Sequence, residues 1–196
     1  MSRKAKIILW SIVGLVLAIG LSVLTLFVLT TRAVNDFHDQ ASKQLNAAVA
    51  GKNTDEAVQL KTIWFGRLLN PRYDKVAGLQ DEYNKLLSDV ENYVAALSAH
   101  DNLVAQYNSG IKGDKPLSGD LLKTVNQYWS VVKNNFPTES DRATTLENLT
   151  QKITSNTDFD AVSSDIDNVL QSGNDWLSGL RDSLNKRITE FQDEVN

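Results

Sequence analysis

The chain has 196 residues, no cysteine and a formal net charge of −4. The missing cysteines exclude disulfide staples, thiol catalysis and cysteine-based metal sites. The acidic balance argues against nucleic acid as a partner.

Ile7 to Thr30 is 24 residues without a charge. As a helix rising ~1.5 Å per residue it reaches about 36 Å, enough to cross a hydrocarbon layer of ~30 Å. Arg3, Lys4 and Lys6 precede it, while Arg32 alone follows closely, with Asp36 and Asp39 behind it. Basic flanks stay cytoplasmic, so the N-terminus is expected inside and residues 31–196 outside the cell membrane. Trp10 sits where an indole anchors the membrane interface. Thr31 and Ala33 offer a weak cleavage site, but signal h-regions run roughly 7–15 residues. The expected organisation is therefore a cytoplasmic flank (1–6), an uncleaved signal-anchor helix (7–30) and an extracytoplasmic helical domain (31–196). Three of the 20 Lys and Arg, and none of the 24 Asp and Glu, precede residue 31, which leaves −7 on the exported part.

Within the span, Ser11, Gly14, Ala18, Ser22 and Thr25 share one helical stripe. Small residues let a second membrane helix approach closely, so this stripe is a candidate packing face.

Beyond the span, helical periodicity runs almost throughout, and three prolines interrupt it. Val34, Phe37, Ala41, Leu45 and Ala48 carry the membrane helix outward until Gly51 breaks it. Thr54, Asp55 and Glu56 suggest a new helix start, and Ala57, Leu60, Trp64 and Leu68 follow at helical spacing. Asn70-Pro71 resets the chain, with Asn as cap and Pro in the first turn. A long helix follows, with a seam of Val76, Leu79, Tyr83, Leu86, Val90, Tyr93, Leu97, His100, Val104 and Tyr107.

After a loop at 111–117, Ser118 caps a helix bearing Leu121, Val125, Tyr128, Trp129, Val132 and Phe136, which Pro137 ends. Thr138 to Asp141 reads as a capping box before Leu146, Leu149 and Ile153, and Thr157 to Asp160 repeats it. The last helix has a seam from Phe159 and Val162 to Phe191 and Val195, with Gly173 in the middle. The fold class is all-α: a transmembrane helix, then an elongated antiparallel bundle with coiled-coil-like seams.

No constellation for chemistry stands out. His38 has Asp36 and Asp39 too near in sequence to share its helix face. Asp158, Asp160, Asp165 and Asp167 fail the calcium-loop template, which needs Gly and Glu where Ser163 and Val169 stand. Acids there instead compensate a helix dipole. No cofactor motif is present. Phe65 and Tyr128 each adjoin a seam tryptophan and are the candidate partner-contact or pocket aromatics.

The expected role is non-enzymatic: a protein-interaction or scaffold module of the envelope, binding another envelope protein or itself. The alternative is a sensor-like module that takes a small ligand and works with a separate signalling partner. In layout alone, without a shared motif, the chain resembles chemoreceptor sensing domains. The chain given ends at Asn196 without a second span or an output domain, so signalling by this reading needs that partner.

Overall fold

A computed structural model describes residues 3–51, 57–63, 66–111, 119–155 and 159–195; within them, the side chains of 3–10, 12, 110, 111 and 195 lie outside the description. The described elements are all α-helical: α1 (Arg3–Val49), α2 (Gly66–Leu69), α3 (Pro71–Ile111), α4 (Gly119–Asn135), α5 (Ser140–Ser155) and α6 (Asp160–Val195). The chain is all-α, as its periodicity implies.

Helix α1 is unbroken over 47 residues, about 70 Å of rise. From Val13 to Leu29 its large apolar side chains are exposed, apart from a half-buried Leu26. At Thr30 the pattern changes, and Thr30, Val34, Phe37, Ala41, Leu45 and Ala48 are buried. Among the described residues α1 is the one helix long and apolar enough to cross a membrane. It ends at Gly51, whose φ of 71° is the left-handed conformation that glycine adopts without steric cost.

The chain divides into two compact units, interleaved in sequence. The first takes residues 1–44, 54–85 and 189–196. Its centre is Tyr83, fully buried, with Phe37 edge-on at 5.8 Å and Phe191 at 6.2 Å between ring centroids. Residues 57–63 do not form the expected helix. They run as irregular backbone whose polar groups are met by side chains of α3. The Val58 amide donates to Tyr83 Oη (3.1 Å), and the Leu60 amide to Gln80 Oε1 (2.9 Å). Gln80 Nε2 donates to Val58 O (3.0 Å), so one side-chain amide pairs with the segment as a peptide group would. The Ile63 amide donates to Tyr73 Oη (2.9 Å), which donates in turn to Lys61 O (2.8 Å). Helix formation would need these same backbone groups, so a helix cannot coexist with this pairing. The proposed start at Thr54–Glu56 lies outside the described residues.

Asn70 behaves as the sequence implies. Its Oδ1 accepts from the Arg72 amide (3.0 Å), capping α3. Its Nδ2 also donates to Thr31 Oγ1 (3.1 Å), tying α3's start to the end of the apolar run. Asn70→Ala removes both bonds. We expect a loss of about 1 kcal/mol for the cap alone, read by chemical denaturation of the detergent-solubilised chain.

The second unit takes residues 45–53 and 86–188. Here α3 and α6 run antiparallel: Asp89 pairs with Arg187 (2.7 Å), His100 with Leu170 O (3.1 Å) and Tyr107 with Ser163 O (3.3 Å). Partner numbers fall along α6 as they rise along α3. The core joins Leu103, Val125, Val132, Leu146, Leu149 and Ile166 from all four helices. The α3 seam follows expectation as far as Tyr93 and then broadens: His100 and Tyr107 are buried as expected, but neighbouring positions join them. Ala96, Ala99 and Leu103 are buried, while Leu97 and Val104 are half-buried. The two alanines let neighbouring helices approach closely on that face. Helix α5 also starts later than a Thr138 cap implies. The Ala143 amide donates to Glu139 O, so Glu139 holds the cap position.

Candidate functional site

Pro137 cannot continue α4, and the chain turns through Phe136–Glu139, where the Glu139 amide donates to Phe136 O (2.9 Å). This turn sets the start of α5 beside the middle of α6. Between them lies a cleft of about 220 Å³ bordered by Tyr128, Glu139, Asp141, Arg142, Thr145 and Ser172. Arg142 is held from several sides. Its Nη1 donates to Ser172 O (3.2 Å), its Nε lies 3.6 Å from Glu139 Oε2, and its Cζ sits 4.6 Å from the Trp176 ring centroid. A guanidinium stacked on indole and braced by hydrogen bonds is a preorganised cation.

Tyr128 is 1% exposed, and its buried hydroxyl has no hydrogen-bond partner. Its ring stands edge-on to His100, with centroids 5.6 Å apart. His100 is equally buried, and its Nδ1 likewise makes no hydrogen bond, with Asp101 Oδ1 3.7 Å away. Gly173 makes this packing possible, since a Cβ there would lie 2.7 Å from His100 Cδ2 and 3.1 Å from Tyr128 Oη. Burial pushes the Tyr128 phenol up to about 12, Arg142 opposing and Glu139 adding. The cleft therefore offers a neutral hydroxyl, a fixed cation and carboxylates. That set of donors and acceptors suits binding a small polar molecule.

A wider groove of about 910 Å³ runs between α5 and α6 and shares Thr145, Val169 and Ser172 with the cleft. Asn148, Gln151 and Asn168 line it, and the Lys152–Asp165 pair (2.6 Å) crosses it.

Of the two candidate pocket aromatics, Tyr128 borders the cleft; Asp165, weighed as a calcium ligand, borders the wider groove. Phe65 lies outside the described residues, as do the side chains of Arg3, Lys4, Lys6 and Trp10. Ser11, Gly14, Ala18, Ser22 and Thr25 are exposed on α1. Ser22 and Thr25 donate their hydroxyls to Ala18 O and Leu21 O, so the stripe is smooth and internally satisfied. No group of three His, Asp or Glu gathers as a metal cage among the described residues. Arg142 and Gly173 escaped sequence reasoning. The one signal for Gly173 was a glycine on a seam, opposite a seam histidine.

Compared with family models, curated proteins and solved structures, the chain finds no match.

The raised Tyr128 phenol has a consequence for stability. The unfolded chain releases that proton near 10, the folded one near 12. Stability from this group is complete below pH 10 and is lost as pH rises toward 12. Alkaline denaturation should accordingly be shallower in Tyr128→Phe than in the parent, read by circular dichroism from pH 9 to about 12. Equal slopes would contradict the burial argument.

Proposed function

We propose that the protein is a single-pass membrane-anchored module whose residues 31–196 stand outside the cytoplasmic membrane and bind another envelope protein or a second copy. The observation that carries this reading is the two-part character of α1. One unbroken helix presents apolar side chains outward from Val13 to Leu29, then buries one face from Thr30 onward. Apolar side chains of that density facing outward need lipid, or another helix, as their solvent. The flank charges favour an N-terminus inside. Binding is non-enzymatic and uses no cofactor.

Crosslinking in the native membrane, followed by mass spectrometry, tests the binding role. A second chain trapped on residues 31–196 is expected. A chain that remains uncrosslinked at all lysines would contradict it.

The cleft favours a second reading, a sensor-like module for a small polar ligand acting through a separate signalling partner. A buried hydroxyl without a partner beside a braced arginine is unusual in a purely structural core. Thermal-shift screening of the full chain with small zwitterions and carboxylates tests it. A ligand that stabilises the parent but not Arg142→Ala supports this reading, and a screen without any stabilising compound argues against it.

A further inference from the structure

Beyond Leu29, Leu68 is the one large apolar side chain exposed among the described residues, at 81%. Its position is fixed from two directions. One residue on each side of α2's single turn is held: the Asn70 amide donates to Gly66 O (2.9 Å), and the Gly66 amide to Ile63 O (3.0 Å). Gly66 rests on the ring of Tyr73, where a Cβ would fall 2.6 Å from Cδ1 and Cε1. Tyr73 is itself buried and hydrogen-bonded to the 57–63 segment. Two residues on, a helix has turned about 200°, so Leu68 points away from the protein. That outward direction is a product of the packing, since the glycine face has nowhere else to go.

The height of Leu68 is set by Asn70, whose Nδ2 reaches Thr31 Oγ1 at 3.1 Å. Thr31 closes the charge-free stretch, immediately before Arg32. Leu68 is two residues from Asn70, within about 7 Å by chain reach. Arg32, Arg67 and Arg72, next to Thr31, Leu68 and Asn70 or two residues from it in the chain, are all exposed, with Arg67 Nε paired to Asp74 Oδ1 at 2.8 Å. An outward leucine between arginines, where a membrane helix emerges, matches the depth profile of a lipid interface. Apolar atoms enter the acyl boundary there, and guanidinium groups meet phosphates.

We infer that α2 is a second membrane contact, a one-turn foot that seats Leu68 in the outer lipid interface beside the exit of α1. This rests on the anchored reading above. Its consequence is orientational: a helix held at one point swivels, whereas a second contact fixes which face of the first unit looks along the membrane.

The chain contains no cysteine, so single reporters are clean. Leu68→Cys, Leu21→Cys and Glu147→Cys, each labelled with an environment-sensitive fluorophore, are compared in phosphatidylcholine nanodiscs. All three positions are exposed in the protein, so labelling disturbs no packing. Aqueous iodide and shallow spin-labelled lipid serve as quenchers. Leu68 is expected to be several-fold less sensitive to iodide than Glu147 and strongly quenched by the lipid probe. If Leu68 is as open to iodide as Glu147 while Leu21 is shielded, the foot is refuted and the anchor stands. Shielding of Leu68 from both quenchers would show a protein covering it and would also refute the lipid contact. If Leu21 is open to iodide, the anchor itself fails and takes the foot with it.

Discussion

Tyr83→Ala is expected to be the most damaging single substitution in the first unit, costing about 3–5 kcal/mol, as large aromatic-to-alanine changes in cores do. The ring is fully buried between Phe37 and Phe191. The hydroxyl adds a second role. It accepts from the Val58 amide and donates to Gln44 Oε1, so one atom ties α3 to the 57–63 segment and to α1. Tyr83→Phe separates the two roles. It keeps the ring and should cost about 1–3 kcal/mol, the range for leaving buried polar partners unpaired. Chemical denaturation in detergent gives both totals. Amide exchange at Val58 gives the local part: protection there should collapse in Tyr83→Phe while protection in α4 and α5 is unchanged. Unchanged protection at Val58 would show that the segment is held by something other than side chains of α3.

In the second unit the largest effect expected from adding a single methyl is at Gly173. Alanine improves helix propensity by up to ~1 kcal/mol over glycine. At Gly173 that gain is overwhelmed, because the new Cβ would meet a buried imidazole at 2.7 Å. His100 cannot swing aside without losing its bond to Leu170 O. A net loss of about 1–3 kcal/mol is expected from overpacking. Gly179, on the same helix, supplies the control: nothing lies within 4 Å of a Cβ there. Gly179→Ala should therefore stabilise by a few tenths to ~1 kcal/mol. Opposite signs for one substitution at two positions of α6 isolate the contact with His100. Pairing Gly173→Ala with His100→Ala should recover part of the loss, since the two residues are in direct contact.

Where local chemistry decides the structure, the sequence was informative. The Asn70-Pro71 cap needs only neighbours, and it forms as read. The face of Val34, Phe37, Ala41, Leu45 and Ala48 is buried because one amphipathic stripe suffices to specify it. Leu146, Leu149 and Ile153 are buried for the same reason. The failures involve distant partners. Ala57, Leu60, Trp64 and Leu68 have helical spacing, but Gln80, Tyr73 and Tyr83 compete for the backbone of 57–63 from 10 to 25 residues away. No local pattern announces that competition. Beyond Tyr93, His100 and Tyr107 are buried as expected, but Ala96 and Ala99, weak core formers by hydrophobicity, are buried beside them because they are small. Tyr128 was legible as an aromatic beside a tryptophan. Its unpartnered hydroxyl and the bracing of Arg142 were not, because they depend on how the turn at Pro137 lays α5 against α6.

The anchored topology rests on α1, and one scan addresses it directly. In the cysteine-free chain, single cysteines are placed at Val13, Leu17, Leu21, Leu24, Val28, Asn35 and Asp36, all exposed positions of one continuous helix. Intact cells are then treated with a membrane-impermeant maleimide. The topology requires no labelling from Val13 to Val28 and full labelling at Asn35 and Asp36 without permeabilisation. Uniform labelling along the helix, or labelling of Asn35 and Asp36 only after lysis, would contradict it.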